Sequence, residues 1–167
     1  NVIGEYELTK IELPTVFGRA AEIMIERIEE IRPDVVICVG QAGGRRGITP
    51  EVIGINLREA SIADNAGNMP KNEKIRAGAP DGIFSTLPVR EMVEAIKAKG
   101  LPASLSFSAG AFVCNDLLFS LLYEFKDTDI KIGFIHVPFL PEQAKAGVPS
   151  MELEDVVRGL GAAVKCL

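Results

Sequence analysis

The sequence has no tryptophan, a single histidine and only three cysteines, Cys38, Cys114 and Cys166, set far apart. Three scattered thiols form neither a disulfide framework nor a metal-ligand cluster. One histidine leaves any imidazole chemistry to His136 alone. Basic residues do not gather: 18 Lys and Arg face 23 Asp and Glu, for a net charge of −5, which is no nucleic-acid footprint. No apolar run is long enough to span a bilayer, and no signal peptide opens the chain. Repeats, linkers and low-complexity tracts are also missing. What is present is an ordinary globular balance, 47% hydrophobic and 25% charged over 167 residues, which suits one domain, 1–167, around one core. A reducing cytoplasm is the expected setting, where a free thiol stays reactive.

The hydrophobic pattern predicts alternating helices and strands. An edge strand is expected within Asn1–Lys10, through Tyr6 and Leu8. Phe17–Ile31 places Met24, Ile28 and Ile31 on one helical face, and Arg32-Pro33-Asp34 stops it. Asp34–Gly40 is an unbroken apolar run and predicts a central strand covered on both faces. Gln41–Thr49, QAGGRRGIT, is a glycine-rich loop. It lacks the Gly-Lys-Ser/Thr of a P-loop and the spacing of a dinucleotide fingerprint, so a plain turn and a ligand-cradling loop both stand. Glu51–Ile62 alternates as a strand does, and Asp64–Pro80 is a long polar loop. A second helix is expected over Leu87–Lys99, a strand over Ala103–Phe107, a helix over Ala111–Phe125 and a strand over Lys131–Val137. Pro138–Ser150 reads as a loop. Glu152–Leu167 reads as a final helix with Leu153, Val156, Val157, Leu160, Val164 and Leu167 on one side. This order predicts an α/β fold, a three-layer α/β/α sandwich with a mostly parallel, twisted central sheet.

The stretch Ser106–Phe119, SFSAGAFVCNDLLF, concentrates the chemistry. It turns from strand to helix, and Cys114 falls in the first turns of that helix, where the dipole favours a thiolate. A buried, inert cysteine is the competing reading. A catalytic thiol needs a base, and the base needs an orienting acid. His136, at the C-terminal end of a strand, is the available base, although a structural histidine fits as well. Glu51 stands out among the acids because it follows the glycine loop and precedes a strand. Pattern alone leaves this constellation undecided.

The segments VGQAGGRRGITPE (39–51), IADNAGN (62–68), SAGAFVCN (108–115) and GFIHVPFLPEQ (133–143) resemble the pyroglutamyl peptidase I family of cysteine peptidases. So do LPTVFGRA (13–20) and PSMELE (149–154), and the resemblance runs in order along nearly the whole chain. It implies an α/β/α fold, a Glu51, Cys114, His136 triad, no cofactor or metal, and a cytoplasmic homotetramer. It also implies removal of an N-terminal pyroglutamyl residue from peptides, with Gln41, Ile62 and Val113 lining or adjoining the lactam pocket. Two departures stand out. The family's opening strand and its GFxPFGG-type loop, which supplies aromatic pocket walls, have no counterpart, so the amino-terminal part of the family domain is expected to be missing. The family's DAR is here Glu59-Ala60-Ser61, and Val52 replaces a common arginine; Arg45, Arg46 and Arg58 are the neighbouring guanidinium groups. These departures motivate an alternative, a non-catalytic relative that binds peptides or assembles. A nucleotide-binding module built on Gly40–Gly47 is a third class.

Overall fold

The computed structural model describes residues 2–167; Asn1, at the start of the stretch expected to hold an edge strand, lies outside them. A hairpin of β1 (Val2–Ile3) and β2 (Tyr6–Glu7) opens the chain, followed by α1 (Arg19–Ile31) and β3 (Val35–Gln41). Then come β4 (Thr49–Pro50), β5 (Ile53–Ile55), β6 (Gly82–Phe84), α2 (Val89–Lys97), α3 (Val113–Glu124), β7 (Lys131–Val137) and α4 (Leu153–Val164). The main sheet has the order β3-β7-β4. β3 runs parallel to β7 in register from Val35↔Lys131 to Gln41↔Val137, and β4 lies antiparallel on the other side with Thr49 opposite His136. A separate antiparallel pair, β5 and β6, packs on α3.

β7 separates two cores because successive strand side chains point to opposite faces. Ile132 and Phe134 pack with α1 and α3, among Ala20, Ile28, Leu118 and Leu121. Ile135 and Val137 pack with α2 and α4, among Met92, Ile96, Val156 and Ala163. The result is the expected α/β/α sandwich. Each fully buried Leu, Ile or Phe contributes about 1.5–3 kcal/mol. α3 concentrates that burial: Leu117, Leu118, Phe119, Leu121 and Leu122 are all covered, between the sheet, α1 and the β5–β6 pair. Burial on several sides is why its sequence shows no polar face.

Several elements differ from expectation. α1 begins two residues late because Gly18 takes a left-handed φ of +72° at its N-cap. β3 is an edge strand among the described residues, with Val39 49% exposed; the strand covered on both faces is β7. The predicted strand over Glu51–Ile62 shortens to β5, since beyond Ile55 the chain turns away, Leu57 N–H bonding back to Ile55 C=O. Ala103–Phe107 makes only single parallel bridges, Ala103 to Ile48 and Ser106 to Glu51, and Phe107 projects outward. Pro102 just before it has no N–H to extend the ladder. β6 was not expected. On α4, Leu153 and Val157 are exposed while Val156 and Val164 are buried, so the inward face is rotated from the predicted one. Ile31 is likewise exposed at the end of α1, where the chain leaves the core.

Candidate active site

Four segments converge at the C-terminal end of β7. The first is β7 itself. Residues 132, 134 and 136 share one face, so His136 follows Phe134 on the α1/α3 side, the two rings 4.7 Å apart. The second is the segment after β4. Thr49 and Glu51 lie two residues apart on extended chain and point to that same face, while Ile48 points into the opposite core. Glu51 is completely buried, and its Oε1 lies 2.7 Å from Nδ1 of His136. With Glu51 ionised, Nδ1–H donates this bond and Nε2 is left free to accept a proton.

The third segment is the start of α3. Cys114 is its second residue, and the N–H groups of the first turn have no carbonyl within the helix to bond. Cys114 leans against β3 at Gly40, the residue paired with His136. A Cβ on Gly40 would sit 3.2 Å from Sγ and 2.8 Å from the Phe134 ring, so only glycine leaves the thiol this place. Burial, then the Glu51 carboxylate, pushes the Cys114 thiol up from 9.0 to about 11; its own backbone N–H and the Arg45 guanidinium oppose that rise. These influences favour the thiol over the thiolate, and among the described residues no hydrogen bond joins the sulfur to the imidazole.

The fourth segment is the glycine-rich loop, which delivers Arg45. Its Nη2 donates to Glu51 Oε1 at 3.0 Å and to Ser108 C=O at 3.3 Å, and its Nη1 donates to Thr49 Oγ1 at 2.8 Å. Thr49 Oγ1 in turn donates to His136 C=O at 3.3 Å. Arg45 is one of the three neighbouring guanidinium groups named from the sequence, but its reach to Glu51 and Thr49 depends on the loop's turn, for which the pattern gave no signal. Arg58, the second candidate guanidinium, is engaged elsewhere. It bonds Asp116 Oδ1 at 2.7 Å, while Asp116 Oδ2 accepts from Gly18 N–H at 2.7 Å. Arg46 and Ser61 are exposed, and Val52 is half-buried with its N–H on Ser106 C=O.

Three further residues had been linked to a substrate pocket. Gln41 is exposed at the end of β3, its Nε2 donating to Gln143 Oε1. Ile62 is 66% exposed. The Val113 side chain is buried in the α1/α3 core, which leaves only its backbone for a ligand.

A buried carboxylate-imidazole pair beside a thiol at a helix start, on one rim of an α/β/α sheet, has the make-up of a cysteine hydrolase site. The family model described as pyroglutamyl peptidase matches residues 1–167. A pyrrolidone-carboxylate peptidase of Streptococcus suis is 49% identical over 168 residues, covering 98% of this chain and 78% of its own. One of Bacillus thuringiensis is 46% identical over 169 residues, covering 99% and 79%. The crystal structure of pyroglutamyl peptidase I from Bacillus amyloliquefaciens superposes with a TM-score of 0.89 at 45% identity, over 92% of this chain and 75% of that one. The chain belongs to the pyroglutamyl peptidase family.

Proposed function

We propose that this chain is a cysteine exopeptidase that removes an N-terminal pyroglutamyl residue from peptides, with Cys114 as nucleophile, His136 as general base and acid, and Glu51 as the group that orients it. The observation that carries this reading is the buried 2.7 Å contact between Glu51 and His136, on the face that also holds Cys114. Burial and the Glu51 carboxylate push the thiol up to about 11, which favours the protonated form. Sγ therefore attacks the carbonyl that joins the pyroglutamyl group to the next residue as its proton passes to Nε2 of His136. The backbone N–H of Cys114, at the helix start, is placed to stabilise the oxyanion. His136 then protonates the departing amine, and Glu51 steadies the imidazolium. Water, deprotonated by His136, hydrolyses the thioester and releases pyroglutamate.

The lactam is neutral and compact, so its recognition calls for apolar walls and a few donors and acceptors. Gln41 and Ile62 have free surface for this, and Val113 its backbone. A charged amino terminus is rejected because its desolvation goes uncompensated. The same reading treats 1–167 as one peptidase-like domain, cytoplasmic, without cofactor, acting as a homotetramer; sedimentation velocity tests the assembly. No helix among the described residues is long and apolar enough to cross a membrane.

Hydrolysis of a fluorogenic pyroglutamyl amide tests the function. Cys114→Ala is expected to lower kcat by about 10⁴-fold or more, as for other nucleophile deletions. Turnover equal to the parent chain in that variant rules the reading out.

A further inference from the structure

Glu51 is held by one oxygen only. Its Oε1 receives His136 Nδ1 and Arg45 Nη2, whereas Oε2 is buried with no hydrogen-bond partner among the described residues. Arg45 is thus a second donor on the oxygen that His136 uses, and two donors meeting one atom from different directions resist a swing of the carboxylate about its Cγ–Cδ bond more than the imidazole contact alone. The same guanidinium also bonds Thr49 on β4 and Ser108 C=O, in the segment that leads into α3. Ser108 C=O accepts from Ser106 Oγ too, at 3.1 Å, and Ser106 is bridged to Glu51. One side chain thus ties the acid, the strand beside His136 and the approach to Cys114.

We propose that Arg45 is a positioning residue for the reaction, fixing the rotation of the Glu51 carboxylate against His136 and holding the Ser106–Gly110 segment in the place from which α3 presents Cys114. The inference rests on the hydrolytic reading of the site, and it adds an electrostatic role. Glu51 is completely buried, and among the described residues Arg45 is the one Lys or Arg paired with it, so the pair keeps a naked negative charge from facing the sulfur. Cys38 on β3 and His136 on β7 face the same side of the sheet, and Asp116 on α3 is ion-paired with Arg58. Cys38 stays a neutral thiol, pushed up to about 12 by burial and by Cys114. Removing Arg45 therefore leaves Glu51 uncompensated.

Arg45→Gln and Arg45→Lys in the full chain decide the matter through three readouts. These are the pH dependence of Cys114 alkylation by iodoacetamide, followed by mass spectrometry of its peptide, kcat and KM on a pyroglutamyl amide, and thermal unfolding. Arg45→Gln is expected to move the alkylation midpoint to higher pH and to lower kcat at least about tenfold while KM changes less than about threefold. Arg45→Lys keeps the charge but not the fork, so it restores the midpoint and leaves kcat low. A folded Arg45→Gln variant with unchanged midpoint and kcat overturns the proposal. If Arg45→Gln does not fold, Arg45→Lys decides alone: parental kcat overturns the positioning role, and a lowered kcat at an unshifted midpoint supports it. Lack of peptidase activity in the parent chain would sink the functional reading instead, and the alkylation shift would still test the link from Arg45 to Cys114.

Discussion

Gly40 shows how little room one atom has in this site. Adding a methyl group there drives it against the Phe134 ring at 2.8 Å and the Cys114 sulfur at 3.2 Å. Gly40→Ala is therefore expected to lower kcat by about tenfold to a hundredfold, since displacing a reacting atom by about 1 Å costs that much, with a smaller effect on unfolding temperature. Steady-state kinetics beside a melting curve checks it; unchanged kcat would mean that the sulfur need not stay where it is. At this scale the sequence exposed the reactive types and little of their support. Cys114 at a helix start, His136 at a strand end and Glu51 after a glycine loop were visible as chemistry. The Arg45 bridge was invisible because it crosses from a turn to Ser108, 63 positions away, and no local periodicity records such a reach. Gly40 gave no hint either, because its neighbour Cys114 is fixed only when α3 docks on the sheet.

Elements are joined to the site by two acidic clamps. Asp116, fully buried on α3, holds Arg58 and the N–H of Gly18 that opens α1. Arg58→Met leaves that carboxylate with half its partners gone, and a cost of about 3–5 kcal/mol is expected from stranding a buried charge. Denaturant unfolding measures it, and a loss well under 1 kcal/mol would contradict it. Asp64 does the same for the 64–68 turn, accepting from Phe17, Ala66 and Asn68 N–H and from the Asn68 amide. Burial alone would raise its pKa, but these four donors overcome it and bring the group from 3.8 down to about 2. A lowered native pKa means the stabilisation is complete above the ordinary 3.8 and is lost as pH falls toward about 2. Asp64→Asn should flatten the stability profile across that window, and an unchanged acid slope would argue against it. β7 was legible to the residue because Asp and Pro punctuate an otherwise continuous apolar run. The Glu51–Ile62 region was not, because Asn115 takes the polar groups of Ile55 and Leu57 that a longer ladder would have used. The orientation of α4 was misjudged for a related reason. Its small residues, Gly159, Ala162 and Ala163, make the buried contact, and a count of large apolar side chains overlooks them.

Across the whole molecule the two helix layers differ in role. The proposed catalytic residues lie on the α1/α3 side of β7, and the α2/α4 side holds the second apolar core. Met92→Ala, in the latter core, is expected to cost about 2–5 kcal/mol of stability yet leave kcat per folded molecule nearly unchanged. Active-site titration with iodoacetamide normalises the rate, and a kcat that fell with stability would show that the layers are coupled. The layered architecture itself was readable from the alternation of helix and strand; which layer carried the site depended on the parity of β7. That parity has an evolutionary consequence. Gly40, His136 and Thr49 occupy a single transverse row over three strands. Deleting one amino acid between Lys131 and His136 would preserve a foldable apolar strand but turn the imidazole toward Met92 and Ile96. Along this segment, drift can therefore exchange one aliphatic side chain for another far more freely than it can alter the number of links in the chain.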